Sequence, residues 1–305
     1  MGDEQVRTHS PESCMSDLII AVIIIVALSF AILVLTVRAT HRWTTTTTTC
    51  IGMLAGALLL LYLTQLWGQP RLSKLLPFSS LIVLGNWFPL AAAFLAGITW
   101  THGYGSKRRR LLFGLSCFVI AMYSMVEPLL GEPPHCVDDW SEDGYCMQTT
   151  LQSCSAAAAA TLLKKYEITA SEAEMARLCL TRGFDGVMQE GTSWPGLYRG
   201  LKLKTEGTDF DVEVFEESVD DFVRNFTAPS IVFVGVPKDG RVPPAFADES
   251  GWMPGVRHSV VLVDVLPNSL MVVADPASVR FEFWSLDELR YLWLGRGMRL
   301  KRRER

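Results

Sequence analysis

Between Leu18 and Val37 the chain runs for twenty residues without a charge (LIIAVIIIVALSFAILVLTV). A helix of that length rises ~30 Å, the thickness of a bilayer's hydrocarbon core. A cleaved signal peptide is the competing reading and fits badly. Its apolar core would span only ~7–15 residues behind a basic segment, whereas the tail here, residues 1–17, is acidic. Three further apolar segments follow, Cys50–Trp67, Leu75–Trp100 and Leu111–Leu130. Gly85, Asn86 and Pro89 interrupt the third span, so a kink is expected there, with Asn86 free to make a polar contact between helices. Tyr62, Trp67 and Trp100 suit interfacial belts, as does Glu127 ahead of Pro128. The segments hold no buried charge pair of the kind that marks a transport path, so they read as an anchor. The threonine tract Thr44–Thr49 is low in complexity and carries no functional signal.

The loops between these segments are unequal in charge. Arg38 and Arg42 follow the first span, and Lys107, Arg108, Arg109 and Arg110 follow the third, giving six basic residues on one side. The other side has Arg7, Arg71 and Lys74, giving three. Basic loops stay cytoplasmic. An integral protein of a bacterial inner membrane is therefore expected, with both termini and the C-terminal domain on the extracytoplasmic side. The basic end Lys301-Arg-Arg-Glu-Arg305 would equally suit an inner-leaflet surface.

The hydrophobic content, 49% over 305 residues, is concentrated before about residue 131. The expected organisation is a tail (1–17), a four-helix transmembrane domain (18–131) and one soluble domain (132–305), long enough for its own core. A formal net charge of −4 points to no nucleic-acid partner. The seven cysteines contain no CxxC and no Cys/His cluster, so neither a metal nor a cofactor is expected. Cys136 and Cys146 lie ten residues apart in a Pro-, Asp- and Trp-rich loop. Two readings stand for them: a disulfide closing that loop in an oxidising compartment, or two free thiols.

In the soluble part, helices come first. One is expected from Cys154 to about Tyr166. A second is expected from the capping-box spacing Ser171-Glu-Ala-Glu174 to about Leu180, with Cys179 on its apolar side, and a third after Gly191-Thr-Ser. The period then changes. Phe210–Phe215, Ile231–Val236, Ser259–Val265 and Leu270–Ala274 read as strands, the last two joined by a turn at Pro267-Asn268-Ser269. Helices followed by an antiparallel sheet is an α+β order.

Cys154 heads an alanine-rich helix, and Gln148 stands six residues before it. A helix N-terminus favours a thiolate, and an amide just upstream can donate to an oxyanion formed by thiolate attack on a carbonyl. A thiol nucleophile needs a base, and the base an orienting group. Of five histidines, His258 alone opens a strand of the soluble domain. Asp275 ends the next strand, and a hairpin can bring the two together.

Gln148-x5-Cys154 with its alanine-rich helix, Gly191-Thr-Ser, Arg257-His258-Ser-Val-Val-Leu-Val and Ala274-Asp275-Pro-Ala277 resemble the bacteriocin-processing peptidases that remove double-glycine leaders. Those are papain-like domains usually fused to export ATPases. The resemblance covers roughly residues 146–295. It implies Cys154 as nucleophile, His258 as general base, Asp275 as its orienter, Gln148 as oxyanion donor, and a peptide or protein substrate cut after small residues such as Gly-Gly. The chain differs from the pattern in Ser153 and Ser155 beside the cysteine and in a Pro- and Gly-rich connection, Pro237–Val256. No fused ATPase is expected. The same triad also serves an acyl transferase or amidase, and the fold could carry a peptide-binding module without catalysis.

Overall fold

The computed structural model describes residues 11–103, 105–183, 191–242, 246, 252–267 and 269–303. Arg7, Asn268 of the expected turn and much of the 237–256 connection lie outside them. The chain divides into two compact units, Met1–Leu130 and Gly131–Arg305.

In the first unit, α1 (Pro11–Thr40), α2 (Thr45–Gln65), α5 (Phe88–His102, extended back to Leu81 by the short α4, Leu81–Leu84) and α6 (Lys107–Val126) are long and apolar enough to cross a membrane. The threonine tract proves to be the start of α2. Thr44 Oγ1 accepts from Thr47 N at 3.2 Å, and Thr48 and Thr49 donate to the carbonyls four residues back. The third apolar segment is not one kinked helix. It breaks into α3 (Arg71–Leu75), α4 and α5, because Pro77 ends one stretch and Pro89 sits in the first turn of the next. Asn86 is buried at the break. Its Nδ2 donates to Ser124 O of α6 at 2.9 Å, and its Oδ1 accepts from Phe88 N at 3.2 Å. Tyr62 is buried. Its hydroxyl donates to Gly85 O at 2.6 Å and its ring stacks on Trp87. The α1–α5 contact depends on Gly97, where a Cβ would stand 2.8 Å from Thr36 Cβ.

The second unit opens with α7 (Cys154–Lys164), α8 (Glu172–Leu178) and α9 (Trp194–Lys204). Every α7 residue from Ser155 to Leu163 is buried, and the alanines let this helix lie close to its neighbours. Cys179, just past α8, is buried, and Gly200 of α9 has no room for a Cβ because the Cys179 sulfur occupies that space. The expected capping box at Ser171 forms by half. Ser171 Oγ accepts from Glu174 N at 3.1 Å, but the Glu174 carboxylate pairs with Lys204 Nζ at 3.0 Å instead of returning to the cap.

Among the described residues the strands form one six-stranded antiparallel sheet. In chain order they are β1 (Phe210–Glu216), β2 (Ser230–Gly235), β3 (Arg257–Val265), β4 (Met271–Ala274), β5 (Glu282–Trp284) and β6 (Trp293–Arg302), and in space β1-β6-β2-β3-β4-β5. Two short helices, α10 (Val219–Arg224) and α11 (Leu286–Leu292), join them. The sheet's core gathers Val232, Val260, Leu262, Val273, Trp284 and Leu289. The basic C-terminal stretch is not a free tail. Lys301 and Arg302 belong to β6, opposite Asp211 and Phe210, and Arg303 N donates to Asp209 O at 2.8 Å.

Candidate active site

The sequence places Cys154 at the first residue of α7, and the loop before it is tied down so that the helix start is held open. Cys146 N donates to Thr161 Oγ1 of α7 at 2.9 Å. Thr149 donates to the buried Glu172 carboxylate twice, from N at 2.8 Å and Oγ1 at 2.7 Å. Ser153 occupies the N-cap yet makes no cap bond. Its Oγ donates to Thr150 O at 3.0 Å and accepts from Thr150 N at 3.2 Å. An N-cap serine ordinarily accepts from the first-turn N–H groups. Here the Ser153 side chain leaves those donors uncapped, with the partial positive charge of the helix end at Cys154, its first residue.

The base comes from the sheet. His258 is the second residue of β3, opposite Val234 of β2. β3 pairs with β4, Val261 opposite Ala274, so the residue after β4 lies beside the start of β3. His258 Nε2 donates to Asp275 Oδ1 at 2.6 Å. That leaves Nδ1 for the thiol of Cys154, which His258 also hydrogen-bonds. Asp275 is fully buried, and both of its oxygens accept hydrogen bonds. Its Oδ1 also accepts from Ala277 N at 2.8 Å, and its Oδ2 accepts from Trp252 Nε1 at 3.1 Å. The Trp252 ring stands edge-on to the His258 imidazole, centroids 5.1 Å apart.

Charge follows from this geometry. Burial pushes the Cys154 thiol up, but the His258 charge and hydrogen bonds from His258, the Ser259 backbone and Ser155 outweigh it, and the thiol falls below its ordinary value. Burial lowers His258, but the charges of Asp275 and Cys154 raise it well above its ordinary 6.5. Asp275 is pushed up by burial and pulled down further by the His258 charge. The directions agree on a thiolate–imidazolium pair oriented by a carboxylate.

Cys136 and Cys146 are free and buried, with no disulfide between them. Burial and then the Glu172 charge push Cys136 up to about 11 and Cys146 up to about 12. Both therefore stay protonated at neutral pH. Gln148 is held by its backbone, its N donating to Pro276 O at 2.8 Å next to Asp275. Tyr145 pins the same turn through its hydroxyl to Ser278 O at 2.9 Å. The Gln148 Oε1 is buried without a hydrogen-bond partner, so that end of the amide is uncommitted. Among the described residues no group of three His, Cys, Asp or Glu side chains is placed to hold a metal ion.

Cys154, His258 and Asp275 thus form one hydrogen-bonded set, with Gln148 fixed beside the Asp275 turn. Four participants were given no part in the site by the sequence. Trp252 lies in the Pro/Gly-rich connection, six residues before His258, and an aromatic so close to a strand-opening histidine was a usable signal. Ser155 and Ser259 share a buried hydrogen bond of 2.8 Å beside the thiol. They follow the cysteine and the histidine directly, so their nearness was implied once those two met. Glu172 offered no signal, since its partner Thr149 is distant in the chain.

No protein-family model matches this chain, and no curated protein matches it. Among solved structures, it is similar to the peptidase domain of Streptococcus ComA, described as a bi-functional ABC transporter involved in a quorum sensing pathway. That match has 19% identity, covers 52% of this chain and 96% of that one, and has a TM-score of 0.38. It is also similar to a double glycine motif protease from an AMS/PCAT transporter in complex with the leader peptide (16% identity, 52% and 89% covered, TM-score 0.37). A third is the N-terminal peptidase C39 like domain of the toxin secretion ATP-binding protein from Vibrio parahaemolyticus (11%, 50% and 100%, 0.33). At these TM-scores the likeness carries no functional inference, which rests on the hydrogen-bonded set around Cys154.

Proposed function

We propose that the protein is a membrane-anchored cysteine peptidase in which Cys154, His258 and Asp275 form the catalytic triad. The observation that carries this is the bonded chain Cys154–His258–Asp275 with its thiol lowered and its imidazole raised. The thiolate attacks the scissile carbonyl, and the carbonyl π electrons move to oxygen. The Gln148 amide and the N–H groups that Ser153 leaves uncapped at the head of α7 stabilise that oxyanion. The imidazolium gives its proton to the leaving amine as the C–N bond breaks, leaving a thioester. His258 then takes a proton from water, whose oxygen attacks the thioester and releases the thiolate. Asp275 keeps Nε2–H directed away from the thiol, so Nδ1 does the proton transfer.

The substrate is a peptide or protein. Leu151, close before Cys154, and Met253 and Val256, close before His258, are exposed apolar side chains suited to anchoring residues upstream of the cut. Motif resemblance supports a cut after small residues such as Gly-Gly. Four helices long and apolar enough to cross a membrane support a membrane anchor, and the loop charges support a peptidase unit on the extracytoplasmic side. The test is to react the full chain in detergent with a thiol-reactive peptide electrophile and profile it against a peptide library. Cys154→Ala should end both labelling and cleavage, and unchanged turnover in that variant would overturn the proposal. Frequent cleavage after Leu, Phe or Arg would remove the small-residue specificity alone.

A further inference from the structure

Within the first unit a groove of about 720 Å³ runs between α1 and α6 across α5. Its α1 wall is one helical stripe from Val26 to Arg38, recurring at intervals of three and four residues. Twelve residue steps make that wall ~18 Å long, close to the ~15 Å depth of one leaflet's hydrocarbon. The floor is low because α5 contributes Ala92, Ala93 and Ala96 there.

The chemistry changes along its length. Val26, Pro89 and Phe118 line the far end. At the near end stand Arg38 and Arg110, brought together because α1 and α5 finish where α6 begins. Thr40 and Thr101 share a hydrogen bond of 2.8 Å there, and Arg110 Nη1 donates to Trp100 O at 3.1 Å. Neither guanidinium forms an ion pair among the described residues. Arg110 Nε and, further down the groove, Ser29 Oγ are buried without a hydrogen-bond partner. An apolar trough one leaflet deep, closed at its mouth by two unpaired cations, matches a lipid with a negative headgroup. A zwitterionic headgroup would bring its own ammonium beside the guanidiniums.

We propose that this groove is a binding site for one acidic phospholipid. An acyl chain lies along the α1 stripe over the alanine floor, and the phosphate meets Arg38 and Arg110. The site rests on these helices spanning a membrane and is independent of the peptidase reading.

Resistance of the full chain to carbonate extraction from membranes tests that premise separately, and extraction would overturn the site with it. The binding test uses the full chain in mild detergent micelles carrying phosphatidylglycerol or phosphatidylcholine, with retained lipid counted by native mass spectrometry. One phosphatidylglycerol per chain should be retained, about 30-fold in preference to phosphatidylcholine, as expected for two basic groups at the membrane surface. Arg38→Gln with Arg110→Gln should remove the preference without altering helical circular dichroism. Ala93→Leu with Ala96→Leu should remove retention with both arginines in place. Equal retention of the two lipids, binding that never saturates at one per chain, a preference that survives the double glutamine variant, or a lipid-free dimer with the groove filled by a second copy would each overturn the proposal.

Discussion

Cys146 and Cys154 lie eight residues apart, yet the same unit drives their thiols in opposite directions. Both are desolvated, which disfavours a thiolate. Besides its burial, Cys146 meets the carboxylates Glu172, Asp138 and Asp139 and the Cys136 thiol, all of which raise it, and it rises to about 12. Cys154 faces a cationic imidazole and donors from Ser155 and Ser259, and it falls. Of these two thiols, only Cys154 should therefore be labelled at neutral pH under native conditions, which peptide mapping after alkylation would show. The rate should depend on pH as a bell. The acid limb is ionisation of Cys154, displaced below the ordinary thiol value, and the alkaline limb is deprotonation of His258, displaced above 6.5. Asp275→Asn keeps the shape but removes the negative charge that raises the imidazole. Its alkaline limb should move towards acid, and an unmoved limb in the kcat/KM profile would show that Asp275 does not set it. Gln148→Ala should cut kcat by ~10²–10³ with little change in KM, the usual loss of one oxyanion donor. Trp252→Phe keeps a ring against His258 but leaves Asp275 Oδ2 without its donor. It should lower stability by ~1–3 kcal/mol, read from the thermal inactivation midpoint.

At the scale of elements, the candidate site was readable where chemistry coincides with element ends. Cys154 heads a helix, His258 opens a strand and Asp275 ends the next, and antiparallel pairing needs no further information to join the last two. β5, β6, α10 and α11 were not readable in the same way. β6 looks like a loop and a basic tail, since Gly295, Gly297 and four arginines or lysines break its hydrophobic alternation. Only the partner strand makes sense of it. The acidic β1 sets Asp211, Glu213 and Glu216 opposite Lys301, Arg299 and Arg296, and Arg299 Nε bonds Glu213 at 2.6 Å. That complementarity was visible in the composition of the two stretches, but it does not reveal that β6 inserts between β1 and β2. The Ser285 capping box, complete where the Ser171 one is half-made, was likewise present in sequence and unused. Charge pairing across β1 and β6 has a measurable consequence. Arg299→Glu exchanges an attractive cross-strand pair for a repulsive one and should destabilise the unit by ~1–2 kcal/mol. Adding Glu213→Arg should restore most of the loss, and a double variant no more stable than Arg299→Glu would show that the pair contributes nothing.

For the whole molecule, the proposed topology decides on which side of a membrane Cys154 would work. The basic residues of the C-terminal end, which in the sequence competed with the loops as an inner-leaflet signal, are engaged by the sheet. Lys301 and Arg302 pair with β1, and Arg303 Nε donates to Phe210 O. The orientation argument then falls to the loops, where six basic residues flank the ends of α1 and the start of α6 and three lie on the other side. Charges within ~15–20 residues of a span dominate orientation, and all of the six qualify. Four spans would put both termini on one side, so a single experiment would report on the second unit directly. Alkaline phosphatase, which folds to an active enzyme only outside the cytoplasm, should be active when fused after Arg305 and inactive when fused after Gly105, in the loop before α6. The reverse pattern would place the thiol in the cytoplasm, where any leader removal would precede export of the substrate. Activity at Arg305 would instead make the enzyme one that meets peptides already across the membrane.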